Sequence, residues 1–301
     1  MNKIAIAIHG GAGENSEFIE ANYAGYLEGL RNAIEHGHQL LVDGASAVDA
    51  VEATVQILED NPLFNAGRGA ALNSDGEVEM DAAIMDGSNR SAGSVSMVTQ
   101  VKNPITLARK VMDNTKHVHI AGYGALRLAK DHELELMHKD YFIVERQLND
   151  LKDEKSYGHG TVGCVALDSQ GNMAAGTSTG GITNSLPGRV GDSCMIGAGC
   201  YADSNCASSC TGDGEVIITN VIAHKVALLM ELKGMTLQEA CDYTINNPNQ
   251  PIAGDVGIVS VNQYGEIAFS FNCDRMHRAS IDRTGELVVD IYQSDSLLKP
   301  F

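Results

Sequence analysis

Gly158-His159-Gly160-Thr161-Val162-Gly163 opens an apolar run that continues to Leu167, directly after a polar and charged stretch over 151–160. How that junction is read decides how the chain is read. As the first residue of a buried strand, Thr161 needs no chemistry. As a new N-terminus it is a nucleophile, because its free α-amine, with a pKa of ~7.7–8.0, takes the hydroxyl proton. A threonine in mid-chain lacks that base.

Working outward, residues 161–167 and 172–178 predict a hairpin around Asp168-Ser169-Gln170-Gly171. Upstream, 3–8 reads as a buried strand and 15–42 as one long helix. Ser46 and Asp49 cap an amphipathic helix that stops before Pro62, and Pro104 opens another through 112. Strands are predicted over 77–85, 93–101 and 117–121, with a helix over 125–129. Downstream of the hairpin, 176–214 is glycine-rich, 215–232 is helical, and Thr236 with Glu239 caps a further helix. Strands over 255–261 and 266–271 make a closing hairpin, and 145–160 is the linker candidate. This order predicts a layered α+β fold with antiparallel sheets rather than a strictly alternating parallel one.

Composition sets bounds. The 301 residues are 44% hydrophobic and 20% charged, ordinary for a globular protein with a sizeable core. A formal net charge of −18 argues against nucleic acid or an anionic membrane as partner. The apolar stretch after Lys3 is too short for a signal peptide and no run is long enough to span a bilayer, so a cytoplasmic location is expected. The seven cysteines (164, 194, 200, 206, 210, 241 and 273) read as reduced thiols. Cys200, Cys206 and Cys210 are close in sequence, yet no CxxC pair or nearby histidine completes a zinc set, so they read as buried small residues.

Three motifs compete for the chemistry. Gly176-Thr177-Ser178-Thr179-Gly180 matches the G-x-S-x-G nucleophile elbow, and His9-Gly10-Gly11-Ala12-Gly13 an oxyanion loop. An elbow needs a helix straight after its serine, and Gly180, Gly181, Pro187, Gly188 and Gly191 forbid one. Gly10, Gly11 and Gly13 would suit a phosphate loop, but no lysine accompanies them; a tight strand-to-helix turn is the plainer reading. The third reading uses more residues. Thr161 supplies hydroxyl and amine, Thr177, Ser178 and Thr179 end the paired strand, and Thr211-Gly212-Asp213-Gly214 offers backbone N–H groups to an oxyanion before a helix. Arg189 and Asp192 offer opposite charges to a zwitterion, or form an ordinary ion pair with each other.

With those residues in view, the chain resembles the isoaspartyl peptidase/plant-type L-asparaginase family of N-terminal nucleophile hydrolases. The resemblance rests on His9–Gly13, 61–69 (NPLFNAGRG), 80–87 (MDAAIMDG), 160–163 (GTVG), 177–192 and 211–215, in the family's order along nearly the whole chain. It implies a four-layer αββα sandwich, with residues 1–301 forming one domain that cuts itself into an α chain, 1–160, and a β chain, 161–301. It further implies that Thr161 is the nucleophile, with Thr179 bonded to it, and Thr211 and Gly212 as the oxyanion hole. Arg189 would hold the substrate α-carboxylate, Asp192 the α-amine, and Asn65 and Gly214 the edge of the site. The resemblance implies no organic cofactor. A structural sodium ion is expected in a loop of backbone carbonyls from Leu58, Glu59, Asn61, Phe64, Ala66 and Arg68. Substrates would be L-asparagine and β-aspartyl dipeptides, and the assembly a dimer of αβ heterodimers. Asp213 departs from the pattern, adding a negative charge beside the oxyanion hole. Glycosylasparaginases carry an aspartate before the threonine and an asparagine after the TST; Gly160 and Gly180 stand there, favouring the asparaginase branch. An uncut, non-catalytic homologue is the alternative of a different class.

Overall fold

The computed structural model describes residues 4–153 and 160–293. Gly158 and His159 of the opening motif lie outside the described residues. An eight-stranded sheet has the order β12-β11-β1-β5-β6-β2-β3-β4, and a four-stranded sheet the order β10-β9-β8-β7. Their ranges in the large sheet are β1 Ala5–Gly13, β2 Met80–Asp86, β3 Ala92–Val98, β4 His119–Ala121, β5 Val162–Leu167, β6 Met173–Thr179, β11 Arg275–Ile281 and β12 Leu287–Tyr292. The small sheet comprises β7 Cys200–Ala202, β8 Cys206–Gly212, β9 Val256–Asn262 and β10 Ile267–Phe271. Neighbours run antiparallel except β3 and β4.

Helices α2 (Tyr23–Val42), α3 (Ala47–Asp60) and α4 (Pro104–Asn114) cover the outer face of the large sheet. Helices α8 (Ile222–Lys233) and α9 (Leu237–Asn246) cover the small one, and the inner faces of the two sheets pack on each other. The result is an α+β, four-layer αββα sandwich, as expected. Covering both faces of the large sheet explains why β5 is a continuous apolar run rather than an alternating one. Val162, Cys164 and Ala166 join the core under the helices, whereas Val165 and Leu167 join the core between the sheets. The same alternation splits β6, pointing Ser178 to the helices and Thr177 and Thr179 to the inter-sheet side.

Local signals account for most boundaries. Ser46 Oγ accepts from Asp49 N at the start of α3, and Thr236 and Glu239 form a reciprocal capping box on α9. Other boundaries differ from the sequence reading. The helix predicted over 15–42 breaks at Asn22 into α1 (Glu17–Ala21) and α2, and that over 215–232 breaks at Val221, whose φ is 50°. The first half of the second pair is α7 (Gly214–Asn220). His9–Gly13 is no turn: β1 runs through it with a bulge between His9 and Ala12. The linker candidate carries α6 (Glu145–Asp153), and α5 (Gly122–Asp131) extends the short helix predicted there. The closing hairpin is followed by β11 and β12, which sequence reading missed because charged residues interrupt their apolar pattern. Cys200, Cys206 and Cys210 lie buried on β7 and β8, and their thiols are pushed up by burial, Cys200 to about 12. No described helix is long and apolar enough to cross a membrane.

Candidate active site

Thr161 sits at the threshold of β5 and is 4% exposed. Its hydroxyl donates to Thr179 Oγ1 across 3.2 Å. Thr179 Oγ1 in turn donates to the Gly160 carbonyl oxygen (3.0 Å) and accepts from Gly181 N (3.1 Å). That carbonyl receives a second donor, Asn65 Nδ2, at 2.8 Å. Asn65 is itself pinned: Nδ2 also reaches Gly181 O, Oδ1 accepts from Ala71 N at 2.7 Å, and its backbone oxygen accepts from Gly180 N. One carbonyl therefore accepts from two oriented donors while the adjacent hydroxyl hydrogen-bonds to one of them.

A small cavity of about 10 Å³ adjoins this point, lined by Gly160, Thr161, Thr179, Arg189, Asp192 and Gly212 among others. Asp192, in a 3-10 turn after Gly191, is 3% exposed, and its Oδ2 has no hydrogen-bond partner among the described residues. Burial pushes its carboxyl up to about 7, against the pull of the Arg189 guanidinium. A buried carboxylate oxygen left this way suits a cationic ligand. Arg189 forks onto Glu215, with Nε and Nη2 at 2.9 and 2.8 Å from its two oxygens, and makes no ion pair with Asp192. Sequence reasoning missed Glu215; its signal was its place one residue after Gly214 in the first turn of α7. Gly214 packs on both charges, since a methyl there would meet Arg189 Nη2 at 2.6 Å and Asp192 Oδ1 at 3.0 Å. Asp81 holds the loop by accepting from Gly191 N (2.9 Å) and Met97 N (3.1 Å), its carboxyl pushed up to about 6 by burial.

β8 brings Thr211 and Gly212 to the same end of the sandwich. Thr211 Oγ1 accepts from Ala12 N at 3.2 Å, which leaves its own hydrogen available. Gly212 has φ of 124°, and a methyl there would strike Asp255 O. Asp213 caps α7, where its Oδ2 accepts from Asp255 N at 3.1 Å.

His9 was read only as part of a glycine loop. Its Nδ1 lies 2.9 Å from Thr161 O, so Nδ1 donates and Nε2 accepts from Ser209 Oγ at 2.8 Å. Burial holds its ring down to about 3, hence neutral. Gly163 must lack a side chain because His9 Nε2 and Ser209 Oγ occupy the space. Ser178 faces away from all of this, donating to Glu59 Oε1 at 2.6 Å. Its G-x-S-x-G match is a buried structural contact.

In the predicted cation loop, Leu58 O accepts from Asn61 N, Asn61 O from Phe64 N, and Glu59 O from Arg68 N. The carbonyls of Pro62 and Phe64 both converge to 2.7 Å from the point a Gly69 methyl would take. Phe64 and Ala66 are buried, and three of the six carbonyls expected to hold the cation, those of Leu58, Glu59 and Asn61, already accept backbone hydrogen bonds.

Comparison with known proteins decides the family. The asparaginase family model matches residues 2–159 and 151–289. The chain belongs to the asparaginase family. A probable isoaspartyl peptidase/L-asparaginase 2 of Arabidopsis thaliana is 39% identical, covering 97% of this chain and all of its own. An isoaspartyl peptidase of Salmonella typhimurium is 40% identical over 93% of this chain and 95% of its own. An isoaspartyl peptidase/L-asparaginase of Xenopus laevis is 39% identical over 99% and 98%. Membership of the asparaginase family makes the chain a hydrolase acting on a small-molecule substrate.

Proposed function

We propose that the chain cuts itself between Gly160 and Thr161, and that the freed Thr161 then hydrolyses the β-amide of L-asparagine and of β-aspartyl peptides. The observation that carries this is the Gly160 carbonyl, held by Asn65 and Thr179 beside a hydroxyl bonded to Thr179. In the first step Thr161 Oγ attacks the Gly160 carbon. The C–N bond breaks, the hydroxyl proton goes to the departing nitrogen, and water then hydrolyses the ester to a Gly160 carboxylate and a free Thr161. In turnover, the α-amine of Thr161 takes the hydroxyl proton and Oγ attacks the substrate's side-chain carbonyl. Thr211 and Gly212 donate to the oxyanion, a term worth about 3–4 kcal/mol per donor. The amine leaves with a proton, and water releases L-aspartate from Thr161. Asp192 receives the substrate ammonium. Arg189, already forked onto Glu215, shares its guanidinium with the α-carboxylate.

The names of the Arabidopsis, Salmonella and Xenopus relatives support this substrate class. On the same reading a structural sodium held by the loop from Leu58 to Arg68 stiffens the segment that carries Asn65, and the protein works in the cytoplasm as a dimer of αβ heterodimers. The deciding experiment pairs intact mass with ammonia release from L-asparagine. Wild type should divide into pieces of residues 1–160 and 161–301, and Thr161→Ala should stay whole and inactive. A single uncut band from wild type, or turnover by Thr161→Ala, would overturn the proposal.

A further inference from the structure

A second cavity, of about 1150 Å³, shares Gly160 and Arg189 with the small one, and Arg146, Arg275 and His277 line it beside Glu14 and Asp150. Arg275, on β11, is 7% exposed. Its Nε donates to Glu14 O at 2.9 Å and its Nη1 to His277 Nδ1 at 3.2 Å; among the described residues no carboxylate pairs with it. A guanidinium only donates, so His277 Nδ1 is the acceptor and the ring hydrogen sits on Nε2. His277 is 2% exposed, and its Nε2 has no partner among the described residues. Burial and the adjoining Arg275 keep the ring well below its usual range, hence neutral, and Tyr26 stacks on it at 4.3 Å.

Arg146, from α6, lines the same cavity. Its Nε and Nη2 have no hydrogen-bond partner among the described residues, and its Nη1 pairs with Asp150 at 3.9 Å. Two guanidinium groups and an imidazole N–H thus lie together with three unanswered nitrogens, in a chain of net charge −18. Arg146 meets Asp150 through Nη1 alone and Arg275 meets no carboxylate among the described residues, so an anion with two acceptor oxygens would complete both.

We propose that Arg146, Arg275 and His277 form a subsite for the α-carboxylate of the leaving half of a β-aspartyl peptide. The inference rests on the reading of Thr161 given above. The aspartyl half belongs to the small cavity, between Arg189 and Asp192. The leaving half then extends past Gly160 into the large one. His277 is near Gly160: a methyl built on Gly11 would sit 3.2 Å from Gly160 Cα and 3.9 Å from His277 Nδ1. The ammonia lost from L-asparagine has no carboxylate to place there. The subsite is therefore a device for preferring peptides.

The test uses the cleaved full-length protein and compares β-aspartyl-leucine with the same dipeptide amidated at its C-terminus. Wild type should favour the free acid in kcat/KM by about tenfold or more, mainly through KM. Arg275→Gln and Arg146→Gln should each bring that ratio toward one. A ratio of two substrates on one preparation is insensitive to partly misfolded protein. Equal rates on acid and amide in wild type would overturn the subsite, as would a ratio unchanged in both variants. If instead the anion held there is the new Gly160 carboxylate, acid and amide would also be equal, and the proposal would fall. Failure of wild type on both L-asparagine and the dipeptide would overturn the proposed function itself, a result distinct from these.

Discussion

Two sets of donors serve one threonine, and they are built differently. Around the Gly160 carbonyl the donors are side chains, Asn65 Nδ2 and Thr179 Oγ1, each fixed by further bonds and already engaged. At Thr211 and Gly212 the hydroxyl accepts from Ala12 N and keeps its hydrogen, beside a glycine of positive φ that lines the small cavity. The first set is committed to the chain's own bond, and the second is open to an incoming carbonyl. On the proposed reading, self-cleavage and turnover share a nucleophile and divide their oxyanion stabilisation.

The sharpest way to break that division is to cross the two. Asn65→Ala should slow cleavage about 10²–10³-fold, the cost of one oriented donor, as read from the uncut band over time. Thr211→Val should leave cleavage nearly untouched and lower ammonia release by a similar factor. Equal losses in both assays for both variants would dissolve the distinction.

A smaller effect concerns pH. Asp192 ionises at about 7, and only its carboxylate pairs with a substrate ammonium. Below that pH, kcat/KM for L-asparagine should fall about tenfold per unit from this group, and Asp192→Asn should be slow and lack this limb. The sign for stability is opposite. The folded state keeps the Asp192 proton from the ordinary carboxylate range up to about 7, so this group's contribution to stability declines as pH rises through that window and is flat above it. Calorimetry of Asp192→Asn should show that decline reduced.

The smallest effect is expected at Ser178. Ser178→Ala should cost about 1–3 kcal/mol in urea unfolding, because buried Glu59 loses a hydrogen-bond partner. Cleavage and turnover should stay within about threefold. Abolished cleavage with an intact fold would revive the G-x-S-x-G reading.

Much of this was legible in the sequence because it follows from period and punctuation. A continuous apolar run after a glycine marked β5 as a strand paired with β6, whereas Thr177, Ser178 and Thr179 were read together and only the structure turns Ser178 to the other face. Asp192 and Gly212 were singled out by charge and by position before a helix, and the structure brings both to the small cavity beside Thr161. What could not be read depends on contacts across long stretches of chain. Asn65 reaches Gly160 from 95 positions away, and His9 reaches Thr161 from 152. Arg189 and Asp192 were read as holding a zwitterion, with a mutual ion pair as the plain alternative, and the partner that geometry gives Arg189 is Glu215. β11 escaped notice because Arg275, His277 and Arg278 look like surface, although Arg275 and His277 are buried.

The strand order of the large sheet bears on what the proposed cut would do. Residues before Gly160 supply β1, β2, β3 and β4, and those after it supply β5, β6, β11 and β12. β1 lies between β11 and β5, so a strand of the first piece is clasped on both edges by strands of the second. Severing the backbone therefore frees a terminus without freeing a fragment. The pieces are interlaced like fingers, and parting them would mean unzipping three antiparallel ladders, β1 from β11, β1 from β5 and β2 from β6. On the proposed reading folding comes before scission, and separately made halves would have to weave β1 into a gap that its absence leaves unformed.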